Sequence, residues 1–208
     1  NNDYNDIGII TLYNTGASGK IYISNNIIQG VYSSTGTDTL KGIDDANTGS
    51  TIYVWNNIVY GINGFWNNRA ITNKSTMYAY NNTVYGNDQG FSAASGTLVA
   101  KDNIVAGSGN TSAYVGTFAS GTTNNATDGT DAPNTNPGTN YTSKTFSFVS
   151  TTAGSEDFHL QSSDVGAINL GADLTNDANN PFTTDIDNQT RPTGTNTWDI
   201  GADENVVT

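Results

Sequence analysis

Few side chains in this sequence could move a proton or hold an ion. The 208-residue chain has no cysteine and one histidine, so a thiolate metal site and a cysteine nucleophile are excluded. The adjacent carboxylates Asp44 and Asp45, with Lys41 just before them, come nearest to an ion site with a base beside it. Lys101, isolated among aromatic positions, is a second candidate base. Successive residues of a strand point to opposite faces, so Asp44 and Asp45 can share one ion only where the strand ends. A glycosidase needs two carboxyl groups roughly 5–9.5 Å apart across an open cleft. The only two glutamates, Glu156 and Glu204, both fall in the C-terminal part of the chain. His159 sits in the alternating run Phe158-His159-Leu160, where a packing role is expected rather than a catalytic one.

Aromatic side chains are the richer signal. Three series recur at equivalent places: Tyr22, Tyr53, Tyr78 and then Val99; Ser24, Trp55, Tyr80 and Lys101; Gln29, Tyr60, Tyr85 and Ala106. Trp66 adds a ring nearby. Flat rings lined up on one face suit the apolar faces of sugars, with neighbouring polar groups bonding the hydroxyls. Two other readings stay open: rings stacked only to stabilise a sheet, and rings buried beneath a covering loop.

The elements that must position these residues follow from an internal repeat. Gly19-KIYISNNIIQ-Gly30, Ser50-TIYVWNNIVY-Gly61, Ser75-TMYAYNNTVY-Gly86 and Gly96-TLVAKDNIVA-Gly107 align without gaps. A weaker series, Gly42-Ile43-Asp44, Gly64-Phe65-Trp66 and Gly90-Phe91-Ser92, lies between them, with Gly8-Ile9-Ile10 as a candidate first member. Short strands recurring every 20–30 residues or so indicate a β-solenoid, with unequal spacings absorbed in loops. Alternation places Ile21, Ile52, Met77 and Leu98, and Ile23, Val54, Ala79 and Ala100, inward. The pairs Asn25/Asn26, Asn56/Asn57, Asn81/Asn82 and Asp102/Asn103 fit corners, because Asn tolerates the left-handed backbone region. Stacked along the axis, their side chains form an asparagine ladder. The start, Asn1-Asn2-Asp3-Tyr4, has the look of one more such corner, as in a mature N-terminus or a longer solenoid.

Composition agrees with this. Asn and Thr contribute about thirty residues each and Gly 23, all poor helix formers, so the chain is expected to be all-β. Nineteen acidic against seven basic residues, a formal net charge of -12, would repel phosphate backbones and argues against a nucleic-acid partner. No stretch approaches the ~18 apolar residues of a membrane span. The polar, cysteine-free composition suits a secreted, extracellular or cell-surface bacterial protein.

The Asn-Asn-Ile-Val-Tyr-Gly pattern over residues 1–120 resembles that of the right-handed parallel β-helix proteins, the pectate-lyase-like superfamily. The resemblance implies a single-stranded right-handed parallel β-helix. Further on, Asp157-Phe158-His159-Leu160, Gly166-Ala167-Ile168-Asn169, Asp185-Ile186-Asp187 with Arg191-Pro192, and Asp199-Ile200-Gly201-Ala202-Asp203-Glu204 resemble the C-terminal end of secreted or surface-anchored bacterial β-helix proteins of the choice-of-anchor type. The chain departs from that pattern where Val165-Gly166 replaces Ser-Pro, where Asn169 replaces Asp, and where Asn188 follows Asp187 in place of Gly. The expected organisation is β-helix over 1–120, a Gly/Thr/Asn-rich loop over 121–145, and a C-terminal β and loop cap over 146–208. Arg191 is expected to pair with Asp185 or Asp187 in the cap.

Three functions stay open. The first is a non-catalytic protein that binds extracellular polysaccharide, or packs into a surface assembly, through Tyr22, Tyr53, Trp55, Tyr60, Trp66, Tyr78, Tyr80 and Tyr85, and it requires no cofactor. The second is a small polysaccharide lyase or glycoside hydrolase. The resemblance then implies Ca²⁺ held by carboxylates such as Asp44 and Asp45, with Lys101 or Lys41 as base; the Gly-His-Gly element of the polygalacturonases has no counterpart. The third is a structural spacer or a self-associating fibre subunit.

Overall fold

A computed structural model describes residues 7–13, 18–30, 39–46, 49–63, 68–108, 113–133, 139–193 and 198–206. These residues contain strands and turns and no α-helix. The first repeat supplies β1 (Ile7–Leu12), β2 (Lys20–Ser24) and β3 (Ile27–Gln29), and the second β4 (Leu40–Asp45), β5 (Thr51–Trp55) and β6 (Ile58–Tyr60). The third supplies β7 (Arg69–Asn73), β8 (Thr76–Tyr80) and β9 (Thr83–Tyr85), the fourth β10 (Gln89–Ala93), β11 (Thr97–Lys101) and β12 (Ile104–Ala106). β13 (Tyr114–Gly116) and β14 (Ala126–Thr127) make a partial fifth. Each of the four full repeats adds one strand to each of three sheets and the partial fifth adds one to two of them, in the orders β1-β4-β7-β10-β13, β2-β5-β8-β11 and β3-β6-β9-β12-β14. All pairings in these sheets are parallel.

The register follows the sequence repeat in the second sheet: Ile21, Ile52, Met77 and Leu98 lie side by side, as do Ile23, Val54, Ala79 and Ala100. With Val59, Val84 and Val105 of the third sheet and Ile43, Ile71 and Phe91 of the first, they form the interior cluster. Fully burying each large aliphatic side chain contributes about 1.5–3 kcal/mol.

The first sheet departs from the sequence expectation. Ile71 of β7, preceded by Ala70, stands between Ile43 and Phe91, where Gly64-Phe65-Trp66 was expected; residues 64–67 lie outside the described set. Asp44 therefore has Thr72 beside it and not Trp66. In β1, Ile10 and not Ile9 pairs with Ile43, and the one-residue slip turns Ile9 outward, 44% exposed. The glycine cue misled because small size is what this position needs. A Cβ at Gly42 would come within 2.6 Å of the Ala70 carbonyl oxygen and of the Val59 side chain.

The asparagine ladder is present and longer than the repeat indicates. Asn26, Asn57, Asn82 and Asn103 each donate from Nδ2 to the Oδ1 of the next rung at 2.8–3.0 Å, Asn103 reaching Asn125. Asn125 in turn donates to Asn140 at 2.9 Å. Asn57, Asn82, Asn103 and Asn125 are buried, so these bonds satisfy polar groups that would otherwise be costly. The apparent Asn corner at Asn1-Asn2 lies outside the described residues.

The described residues of 143–206 lie along the flank formed by the outer faces of the second and third sheets. β15 (Phe148–Ser150) and β16 (Asp157–Leu160) pair antiparallel, and the other described residues to 206 are turns and loops. Phe148, Phe158, Leu160, Ala167, Ile200 and Ala202 pack on Ile58, Ile104, Ala106 and Ala126. The C-terminal segment thus covers this flank laterally, and the cause is local. The outer row of the third sheet is apolar at Ile58 and Ile104 and needs a covering layer of its own.

Candidate functional site: the aromatic flank and its cover

The two members of each corner pair have different conformations and different work. Asn25, Asn56, Asn81, Asp102 and Asn124 have φ of 46–55°, the left-handed region, which turns their side chains away from the ladder. Asn25 donates to the carbonyls of Asp185 and Ile186, Asn56 to that of Thr184, Asn81 to those of Asp199 and Gly201, and Asn124 to that of Leu170. Asp102 interrupts the row and instead accepts from the Ala172 amide at 3.1 Å through both oxygens. Burial raises its carboxyl pKa well above the usual range, against the lowering effect of that amide and of Arg191. These contacts hold the C-terminal segment along all five corners.

Arg191 pins the segment from within. It is fully buried, pairs with Glu204 at 2.9 Å, donates to the Gly201 and Ala202 carbonyls at 3.0 Å, and lies 5.2 Å from the Trp198 ring. Its ion-pair partner is Glu204, not the expected Asp185 or Asp187. Asp185 instead accepts the Asp187 and Gln189 amides, closing its own turn.

The aromatic series mostly lie under this cover. Trp55 meets Phe182 at 6.4 Å between ring centroids, while Tyr60 and Tyr85 meet Phe158 at 5.0 and 4.9 Å. Tyr80 is fully buried in a cluster with Leu174 and Trp198, and Lys101 lies 5.2 Å above its ring. Burial, with the nearby Asp177 charge, raises the Tyr80 pKa far above its ordinary value. Trp66 is outside the described residues. The open strip expected from the sequence is therefore reduced to Tyr22, Tyr53 and Tyr78. These rings stack face to face at 5.0 and 5.5 Å, tilted by 19° and 17°, so Tyr53 is 5% exposed and Tyr22 57%. Stacking uses up the inner ring faces; the outer face of Tyr22 is the one left to a ligand, with Trp55 edge-on at 6.1 Å.

The candidate catalytic groups do not converge. Lys41 and Asp44 pair at 3.1 Å and are both buried in the first sheet. Asp45 is buried and accepts the Lys74 and Ser75 amides and the Ser75 hydroxyl. Lys101 belongs to the second sheet and pairs with Asp177 at 2.5 Å. Asp44 and Asp45 are the last two residues of β4, and their carboxylates take separate partners, Lys41 for Asp44 and the Lys74 and Ser75 amides for Asp45.

A second cluster escaped the sequence reading. His159 Nδ1 lies 2.5 Å from Asp157 Oδ1 and its Nε2 lies 2.7 Å from Asp187 Oδ2, with the Asp203 carboxylate close by. Burial lowers the His159 pKa, but the bond to Asp157 and the charges of Asp203 and Asp187 outweigh it and raise it overall. A cleft of about 260 Å³ beside it is lined by Ile27, Ile58, Tyr60, Glu156 and Phe158. One signal was available: strand alternation puts Asp157 and His159 on the same face. Asp187 and Asp203 come from distant turns with no periodicity to place them. No known protein family matches the chain, and neither a curated protein nor a solved structure does.

Proposed function

We propose that the protein is a right-handed, single-stranded parallel β-helix of the pectate-lyase-like kind, acting outside the cell or on its surface, that binds polysaccharide without cleaving it. The observation that carries this reading is the tyrosine stack with one open end. Tyr53 and Tyr78 hold Tyr22 rigidly from behind, and a pyranose ring can lie on the exposed outer face of Tyr22. Lys20 and Ser24 of the same strand supply hydrogen bonds for hydroxyl groups. The absence of turnover is supported by the internal pairing of Lys41 with Asp44 and Lys101 with Asp177.

A second reading, self-association into a surface assembly, has its own support. Among the described residues, Ile9, Tyr13, Tyr22 and Ile27 are exposed and all belong to the first repeat, where β1, β2 and β3 each have a neighbour on one side only. Such edges invite further strands. A polysaccharide panel in affinity gels, assayed in parallel for new reducing ends and unsaturated products, separates the cases. Retardation without product supports binding, and product supports a lyase or hydrolase. Concentration-dependent sedimentation without retardation supports assembly.

A further inference from the structure

We propose that His159, Asp187 and Asp203 form a binding site for one divalent transition-metal ion of the zinc class, with Asp157 orienting the imidazole. The site comes from three segments. β16 turns Phe158 and Leu160 into the flank core and leaves His159 on the opposite face with Asp157. Asp187 projects from the turn closed by Asp185, and Asp203 follows the buried Ala202. One ligand atom from each of the three lies within 4.8 Å of the others, a span that a single ion closes with small side-chain shifts.

The imidazole is what marks this as more than a group of acids. Both of its ring nitrogens face a carboxylate oxygen at hydrogen-bond distance. A neutral imidazole carries one N–H, so one of those contacts sets acceptor against acceptor unless the ring is protonated or a metal ion takes the place of the second proton. With the proton on Nδ1 and donated to Asp157, the Nε2 lone pair points at Asp187. That is the carboxylate–histidine–metal arrangement, in which the outer carboxylate fixes the ligating tautomer.

Backbone bonds hold the set in place: the His159 amide donates to Asp157 and the Leu160 amide to Asp203. An imidazole with two carboxylates suits zinc-class ions, whereas Ca²⁺ prefers six to eight oxygens. Two carboxylates also balance the ion's double charge. The His159 and Asp187 side chains are 37% and 47% exposed, so the site is reachable, and the adjacent cleft leaves room for a water or a ligand atom as fourth donor. Bound there, the ion ties β16, the Asp185–Gln189 turn and the C-terminal end together.

The test is titration of the chelator-stripped full chain with Zn²⁺ by calorimetry and with Co²⁺ by visible absorption, alongside thermal unfolding. The expected result is one ion per chain, a Co²⁺ ligand-field band, and an unfolding midpoint that rises with Zn²⁺. His159→Gln and the surface change Asp187→Asn should each weaken binding at least tenfold and abolish the midpoint rise while keeping the wild-type circular dichroism. Should His159→Gln not fold, Asp187→Asn decides alone. No binding at millimolar Zn²⁺, binding unaffected by these changes, or Ca²⁺ binding as tight as Zn²⁺ would overturn the assignment.

Discussion

Asn56 and Thr184, 128 residues apart, are joined by a 2.7 Å hydrogen bond from the Asn56 carboxamide to the Thr184 carbonyl. Its neighbour Asn57 points the other way and bonds Asn82 within the ladder. A dipeptide that looks like a repeated unit thus splits between two tasks: one Asn builds the repeat stack and the other fastens the C-terminal segment to it.

The split is separable by mutation. Asn56→Ala should loosen the C-terminal segment, raising amide exchange around Thr184 and costing about 1–3 kcal/mol of stability. Asn57→Ala should cost more, since Asn57 also donates to the Ile23 and Trp55 carbonyls and accepts from Asn26. Chemical denaturation and residue-resolved exchange on both variants check this; equal, localised effects would contradict it.

Removing the pin should be severe. Arg191→Met leaves Glu204 buried beside Asp199 without its cation, and breaking a buried pair this way costs about 3–5 kcal/mol. The paired change Arg191→Met with Glu204→Gln should recover part of that loss, measured as a double-mutant cycle in urea.

Acid should release the loop that carries Asp177. Burial pushes its carboxyl pKa up, but the hydrogen bond from Lys101 and the amides of Asn180 and Asn179 pull it below the ordinary value. A carboxyl depressed in the fold stabilises it fully above its unfolded pKa, about 4, and that contribution fades as pH falls through the lower folded value. Limited proteolysis near residues 173–179 by an acid-active protease should therefore speed up below about pH 4. Lys101→Met should flatten this dependence.

Much of this arrangement was legible from residue order. The second sheet, its register and the first four ladder rungs follow from the repeated alternation of two apolar residues followed by Asn-Asn or Asp-Asn, because side-chain period and backbone corner are both local properties. Asn125 and Asn140 were missed because no apolar strand pattern surrounds them. Ala70-Ile71 was missed because Ala serves where Gly was sought. The fate of the aromatic series was illegible for a different reason: whether Tyr60 or Tyr85 faces water depends on Phe158, more than 70 residues away, and no periodicity links them. The His159 cluster has the same origin in distant turns.

The cover itself can be probed through Phe158. It touches both Tyr60 and Tyr85, and Phe158→Ala should cost about 3–5 kcal/mol if the fold cannot collapse around the gap. Tyrosine and tryptophan fluorescence should show greater solvent exposure before global unfolding.

The most direct measurement on the binding account is polysaccharide retention of the wild-type chain against Tyr22→Ala, with Val165→Ala, an exposed apolar change elsewhere, as reference. The account predicts retention by the wild type and by Val165→Ala, and at least a tenfold weakening in Tyr22→Ala, about 1.4 kcal/mol. Equal retention by Tyr22→Ala, or none by the wild type across the panel, would contradict it.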